Sequence, residues 1–472
     1  MTDTAHPAVR IEKDSIGPLE VPMDAYYGVQ TLRAMRNFPV SGQPMPGAFL
    51  KAHAMLKKAA AMVNHELGLL DATRATAIAQ AADEIIAGKL ADQLPVDIYQ
   101  TGSGTSTNMN LNEVIASRAN ELLGGKRGDK SPVHPNDHVN MGQSSNDTIP
   151  TSLHVAALEE ITRQLRPALN KLEASLREKS RQTWNVIKTG RTHLQDATPI
   201  RLGQEFLGHA GQVRRAGRRL DAAQKDLAEV ALGGTAVGTG ITAPPGFSVE
   251  IAERIAALTG KPFITAPNKF AAQGSLDAMT RTSAALRGLA VGLMKIANDM
   301  RWLASGPRCG LGELLLPDNE PGSSIMPGKV NPTQCEAVVM ICIQVIGEDT
   351  AVAFAGSQGN FELNTMRPVI INNVLHSARI LADGMEKFRL HSVEGTQLNK
   401  KRISQYVNES VMLVTALSPL IGYDKASDIA HAAMEHDLTL KQAALRSGSV
   451  TEADFDRLVD PRTLVGDGLA GS

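Results

Sequence analysis

The sequence predicts a mainly α-helical protein built around a long helical bundle, on three observations. Between about 150 and 390 it runs in segments with few internal breakers, several well beyond the ~12 residues of an average helix. The chain is 43% hydrophobic but only 4% aromatic, so its core must be built mainly from Ala, Leu, Val, Ile and Met, which favours close helix-on-helix packing. In 286–300 the residues Leu289, Ala290, Val291, Leu293, Met294, Ile296 and Ala297 cover nearly the full circumference of a helix, as do the apolar residues of 337–346. A helix without a solvent face is buried on all sides, here expected inside a bundle that also packs against other subunits.

The elements follow in order. Residues 1–45 carry turn formers and short β-type pieces such as Tyr26-Tyr27-Gly28-Val29, and two amphipathic helices are expected at 47–66 and 71–88, the second capped by Asp71. A polar stretch, 124–136, separates this region from helices expected at 151–181, 199–231, 274–305, 332–356 and 367–390. The remainder returns to shorter helices, punctuated by Gly422 and Gly448. A net charge of −1 gives no general attraction to nucleic acid or anionic lipid. The N-terminal residues lack the apolar core of a signal peptide, and the run 337–347 is closed by Glu348 and Asp349, short of the ~20 residues of a membrane span. The reading is cytoplasmic. Cys309, Cys335 and Cys342, without paired spacing, read as ordinary buried thiols.

Four stretches place hydroxyl and amide side chains at expected helix starts, where backbone N–H groups and the helix dipole attract anions. PGSSIMPGKVNP (321–332) puts Ser323, Ser324 and Lys329 upstream of a helix signalled by Asn331 at N-cap, Pro332 at N1 and Gln334 at N3. TGSGTSTNMN (101–110) sets Ser103, Gly104 and Thr105 before a helix. GQSSNDTIP (142–150) does the same with Ser144, Ser145 and Asn146, with Pro150 expected in the first turn. GRTHLQDATP (190–199) places Thr192 and His193 ahead of a start marked by Thr198-Pro199. Their shared chemistry is recognition of carboxylate or phosphate by uncharged donors. The glycine-rich GGTAVGTG (233–240) follows a helical segment and has neither nucleotide-loop motif, so it reads as a connector. In His134-Pro135-Asn136-Asp137-His138 the proline breaks the helical spacing that would pair two metal-binding imidazoles, and His154 and His209 read as structural.

GSSIMPGKVNP resembles the signature of the fumarase/aspartase superfamily, and the likeness runs from RIEKDSIGPLEVP near the start to GYDKA in the last region. Within it, GSGT (102–105), VHPNDHVN (133–140), QSSND (143–147), NPTQCEA (331–337) and GNFELN (359–364) look most like class II fumarases. YYGVQTLRA (26–34), TSTNMN (105–110) and VNMGQ (139–143) are similar to aspartate ammonia-lyases, which release ammonia from aspartate on the same scaffold, and that alternative stays open. A non-catalytic, lens-type relative would be expected to lose the loop serine or lysine; both are present.

The resemblance implies three α-rich domains (1–138, 139–395 and 396–472) and a homotetramer whose central helices form one multi-helix core, each active site drawing on three chains. It implies reversible hydration of fumarate to L-malate, a step of the tricarboxylic acid cycle, with a small dicarboxylate as substrate and no metal or organic cofactor. Ser323 matches the catalytic base. His193 matches the residue that works with a water at the departing hydroxyl, oriented by Glu336. Lys329, Val330 and Asn331 match the group holding the carboxylate on which carbanion charge develops, and Ser103, Gly104, Thr105, Ser144, Ser145, Asn146, Thr192 and Ser324 fix the rest. His134, Pro135, Asn136 and Asp137 match a second dicarboxylate site. The 321–332 stretch then reads as a mobile lid, with Gly322 and Gly328 as its hinges.

Overall fold

A computed structural model describes residues 8–468. Among the described residues, seventeen α-helices and five two-stranded sheets make it mainly α, as expected. The β-type segments near the start lie elsewhere than expected: Val9–Lys13 pairs with Pro18–Pro22, while Val29 opens a helix, Val29–Asn37. Carboxylates decide this. Glu113 accepts the amides of Gly28, Gln30 and Thr31 at 2.9, 2.9 and 3.0 Å, and Glu12 takes that of Val29 at 3.0 Å, so the first turn has its N–H groups satisfied and its dipole met by negative charge.

The chain divides into two compact units. The first holds the chain through Pro167, with Arg218–Ala290 and Ile343–Ala382; the second holds Ala168–Gly217, Val291–Cys342 and the chain from Asp383. In the first, helix Gly47–Glu66 packs on Ala72–Ile86, Ser145–Glu160 and Phe247–Thr259. Asp71 caps Ala72–Ile86 as expected, accepting the Arg74 amide at 3.0 Å. Polar side chains are threaded through this core. Lys57, fully buried, donates to Asn140 Oδ1 at 2.9 Å and Gln143 Oε1 at 3.0 Å, and burial pulls its ammonium down to about 7. His53 lies 2.7 Å from Ser152 Oγ and 3.0 Å from Asn108 Oδ1. In the second unit, Leu417, Ile429, Leu440 and Phe455 anchor a core of short helices.

The long helix expected at 151–181 is instead Ser145–Glu160, a π-helical turn at Ile161–Leu165 and Arg166–Gln182. Pro167 has no amide to return to the Arg163 carbonyl, so the regular ladder cannot run through this point. The other long helices match: Leu202–Leu227, Asp277–Leu303, Thr333–Gly356 and Arg367–Phe388. They are not buried all round within one chain. Val338, Cys342 and Val345 are buried, but Met340, Ile343 and Phe354 are 63%, 59% and 70% exposed, and Val291 is 55% exposed.

Thr333–Gly356 also runs past Glu348 and Asp349, so by length and composition it could cross a membrane, the one helix among the described residues to do so. The two carboxylates fit inside it because each is paired. Glu348 meets His376 and Ser377, and Asp349 meets Arg287 at 3.0 Å and the Ser283 hydroxyl at 2.7 Å. Cys335 and Cys342 are buried as expected; Cys309 is exposed, because it sits in the irregular segment after helix Asp277–Leu303.

His154 donates from Nδ1 to the Glu229 carbonyl at 2.8 Å, and burial pulls its imidazole down to about 4. Between that value and the ordinary 6.5 the unfolded chain binds the proton that the folded chain refuses, so stability falls as pH falls through this window, by up to about 3 kcal/mol for this residue. His154→Gln should therefore flatten the loss of stability between pH 7 and pH 4.5, read from urea midpoints; an unchanged slope would show that His154 does not contribute.

Candidate active site

Two of the expected helix starts meet. Gly104, left-handed at φ 79°, turns the chain into helix Thr105–Leu122, and Ser144 caps helix Ser145–Glu160. Ser103 Oγ lies 2.8 Å from Thr105 Oγ1, which lies 2.6 Å from Ser145 Oγ. Two helix N-termini thus share one chain of hydroxyls, a concentration of donors and positive dipole ends without a cationic side chain among them. Gly102 is fixed by closeness: a Cβ there would stand 1.7 Å from the Thr365 carbonyl oxygen.

Behind this cluster stands Asp147, fully buried. Its carboxylate accepts the amides of Ser144 at 2.9 Å, Gly233 at 3.0 Å and Thr235 at 2.8 Å. The first bond completes a capping box with Ser144, a pattern visible as Ser-x-x-Asp but not singled out from the sequence. The other two bind GGTAVGTG to the site, and Asn146 donates from its side chain to the Ala236 carbonyl at 2.8 Å. The glycine-rich segment is a connector, as expected, although it follows a two-residue strand, Glu229–Val230. Its link to the site was not legible, since residues 147 and 233 are joined only by folding. Pro150 sits well inside helix Ser145–Glu160, beyond the first turn expected for it.

In the second unit, Thr192 and His193 lie on a hairpin, Ile187–Thr192 with Gln195–Arg201. The helix start expected at Thr198-Pro199 is displaced: Pro199 pairs with Thr189 in this two-stranded sheet, where an edge tolerates proline, and the helix begins at Leu202, with Gln204 Oε1 accepting the Arg201 amide at 2.9 Å. The two turn residues, His193 and Leu194, are both left-handed at φ 58° and 61°, and both are exposed. Below them Lys188 contacts Glu205 at 3.1 Å and Glu313 at 3.2 Å, and Arg191 contacts Glu313 at 2.8 Å.

The 321–332 segment is a loop pinched at its neck. Gly322 donates to the Lys329 carbonyl at 2.9 Å, and the Asn331 amide donates to the Gly322 carbonyl. Asn331 is therefore the clasp of the loop and not the N-cap, and the helix begins at Thr333. Gly322 is needed for this closure and is no simple hinge, since a Cβ there would lie 2.1 Å from the Lys329 oxygen. Ser323 Oγ accepts the amides of Ile325 at 3.3 Å and Met326 at 3.0 Å. Ser324, Lys329, Val330 and Glu336 are exposed. Among the described residues no hydrogen bond or ion pair joins His193 to Glu336, Ser323 or Lys329 within one chain.

His134 begins the π-helical turn Pro135–Val139. Its Nδ1 accepts the amides of Asn136 and Asp137, each at 3.2 Å, and lies 3.3 Å from the Asp137 carboxylate. Among the described residues no group of three or more His, Cys, Asp or Glu side chains could hold a metal ion.

The matches to known proteins follow this geometry. Residues 17–347 match the lyase family and residues 413–466 the fumarase C C-terminus. A class II fumarate hydratase of Methanosarcina acetivorans is 57% identical over 97% of this chain and 95% of its own, and one from Nitrosomonas europaea 56% identical over 96% and 98%. The crystal structure of a class II fumarase from Schistosoma mansoni superposes with a TM-score of 0.96 at 40% identity, covering 98% of this chain and all (100%) of that one. The chain belongs to the lyase family and, within it, to the class II fumarate hydratases. The aspartate ammonia-lyase alternative is not favoured.

Asp147→Asn would turn an amide N–H₂ toward at least one of the three backbone donors it now accepts. The change should cost about 2–4 kcal/mol of stability, read by urea unfolding. A loss below about 0.5 kcal/mol would show that the carboxylate is not what holds these loops together.

Proposed function

We propose that this enzyme interconverts fumarate plus water and L-malate as a step of the tricarboxylic acid cycle, working as a cytoplasmic homotetramer organised in the three domains read from the sequence. The observation that carries the reading is the meeting of two helix N-termini through Ser103, Thr105 and Ser145, with Ser144 and Asn146 beside them. A dicarboxylate presents two anionic ends, and these neutral donors suit the end that keeps its charge, leaving the cationic Lys329 for the end on which charge develops.

In the malate-to-fumarate direction Ser323, as alkoxide, takes a proton from the carbon next to one carboxylate, and the electron pair delocalises into that carboxylate. Lys329 and Asn331, with Val330 beside them, stabilise the charge where it develops. Hydroxide then leaves the neighbouring carbon and is protonated through a water held by His193, with Glu336 orienting the imidazole. A serine serves as base only if its alkoxide is stabilised. Two amides already point at Ser323 Oγ, and Lys329 rides on the same loop. The remaining binding contacts are assigned to Gly104, Ser144, Ser145, Asn146, Thr192 and Ser324, and a second dicarboxylate site to residues 134–137. His193 and Glu336 are assigned to meet across chains, which accounts for their lack of contact within one.

The enzyme should form fumarate, followed by its ultraviolet absorbance, from L-malate and not from L-aspartate. Ser323→Ala should lower kcat by about three orders of magnitude or more, and Ser324→Ala much less. Near-normal turnover in the Ser323 variant would remove the base assignment.

The tetramer rests on the apolar residues that one chain leaves exposed on Thr333–Gly356 and Asp277–Leu303. Light scattering of active enzyme should give about four times the chain mass, and a fully active monomer would overturn the shared site.

A further inference from the structure

Pro150 lies inside helix Ser145–Glu160 and has no N–H, so the Asn146 carbonyl one turn earlier loses its helical hydrogen bond. The guanidinium of Arg367 takes its place. Nη1 donates to the Asn146 carbonyl at 2.9 Å and reaches the Ser145 carbonyl at 3.5 Å, while Nη2 donates to the Gln273 carbonyl at 2.9 Å. The backbone amide of Arg367 donates to the Gly102 carbonyl at 3.2 Å. One residue therefore holds both segments whose hydroxyls meet at Thr105 and Ser145. Arg367 is fully buried, and its hydrogen-bond acceptors are all backbone carbonyls, an unusual use of a buried cation. Burial pulls it down to about 10, so it stays cationic at neutral pH.

We propose that Arg367 is a positioning residue for substrate binding: by holding the carbonyls of Ser145 and Asn146 and the loop at Gly102, it fixes the hydroxyl and amide groups that receive the substrate carboxylate. Pro150 and Arg367 are on this view a matched pair, the proline freeing the carbonyl that the arginine grips. The inference rests on the assignment of Thr105, Ser145 and Asn146 to substrate binding.

The test is steady-state kinetics of the whole enzyme with L-malate, alongside thermal unfolding. Arg367→Met should raise KM about tenfold with a smaller change in kcat, and Arg367→Lys should fall between it and the parent. In the Arg367→Met background, Pro150→Ala supplies a new amide to the Asn146 carbonyl and should recover about threefold or more of the lost KM. A merely structural arginine would lower the melting temperature, leave KM per folded enzyme unchanged and show no such recovery, which would overturn the proposal. Asn146→Ala serves as the reference. If it raises KM while both Arg367 variants keep the parent value, only the positioning role falls; if none of the three raises KM, the binding assignment falls with it. Should Arg367→Met not fold, Arg367→Lys and the double variant carry the same reading.

Discussion

The buried carboxylate of Asp147 is the constraint on which the hydroxyl cluster of the first unit depends. Its three donors are all backbone amides, one from its own helix cap and two from a glycine-rich segment far along the chain. Burial pushes the carboxyl up, and the three amides with the charge of Lys57 pull it back. A carboxylate so placed cannot be moved without leaving several buried N–H groups unpaired, so the cap, the connector and the hydroxyls in front of them form one body. Arg367, held by carbonyls, places positive charge behind the helix starts without exposing any of it, while Lys57, held by two neutral oxygens and pulled down to about 7, carries only part of a charge at neutral pH.

This division of labour has a chemical consequence. Groups at the surface of the cluster are neutral donors, and the Arg367 cation lies beneath them. In the proposed reaction, neutral donors that are already oriented need little reorganisation when charge shifts along the dicarboxylate, which is the condition for favouring a transition state over a ground state. The loop at 321–332 departs from this plan, with its cation Lys329 exposed: Ser323 is met by two amides of its own turn, and the loop's shape is set by a clasp from Asn331.

The hairpin carrying His193 is built differently. Two non-glycine residues in the left-handed region at its tip carry strain on the order of 1–3 kcal/mol each. The ion cluster of Lys188, Arg191, Glu205 and Glu313 below the turn over-determines the strands and lets them hold it. The turn so held leaves the His193 imidazole exposed.

The sequence by itself determined the helical class, the positions of most long helices and the four stretches of hydroxyl and amide residues, because periodicity, capping chemistry and local composition are written in neighbouring residues. It misplaced the strand near the start, because Glu113 acts on Val29–Asn37 from far along the chain. It took Thr198-Pro199 for a helix start because a proline on an edge strand and one at N1 look alike locally. It took Asn331 for a cap where the amide closes a loop. Only the tertiary structure decided which helix starts meet, that Asp147 binds the glycine-rich connector, and that Arg367 answers Pro150. Each of these joins residues distant in sequence through buried polar bonds, and such bonds leave no periodic trace because their partners are chosen by packing.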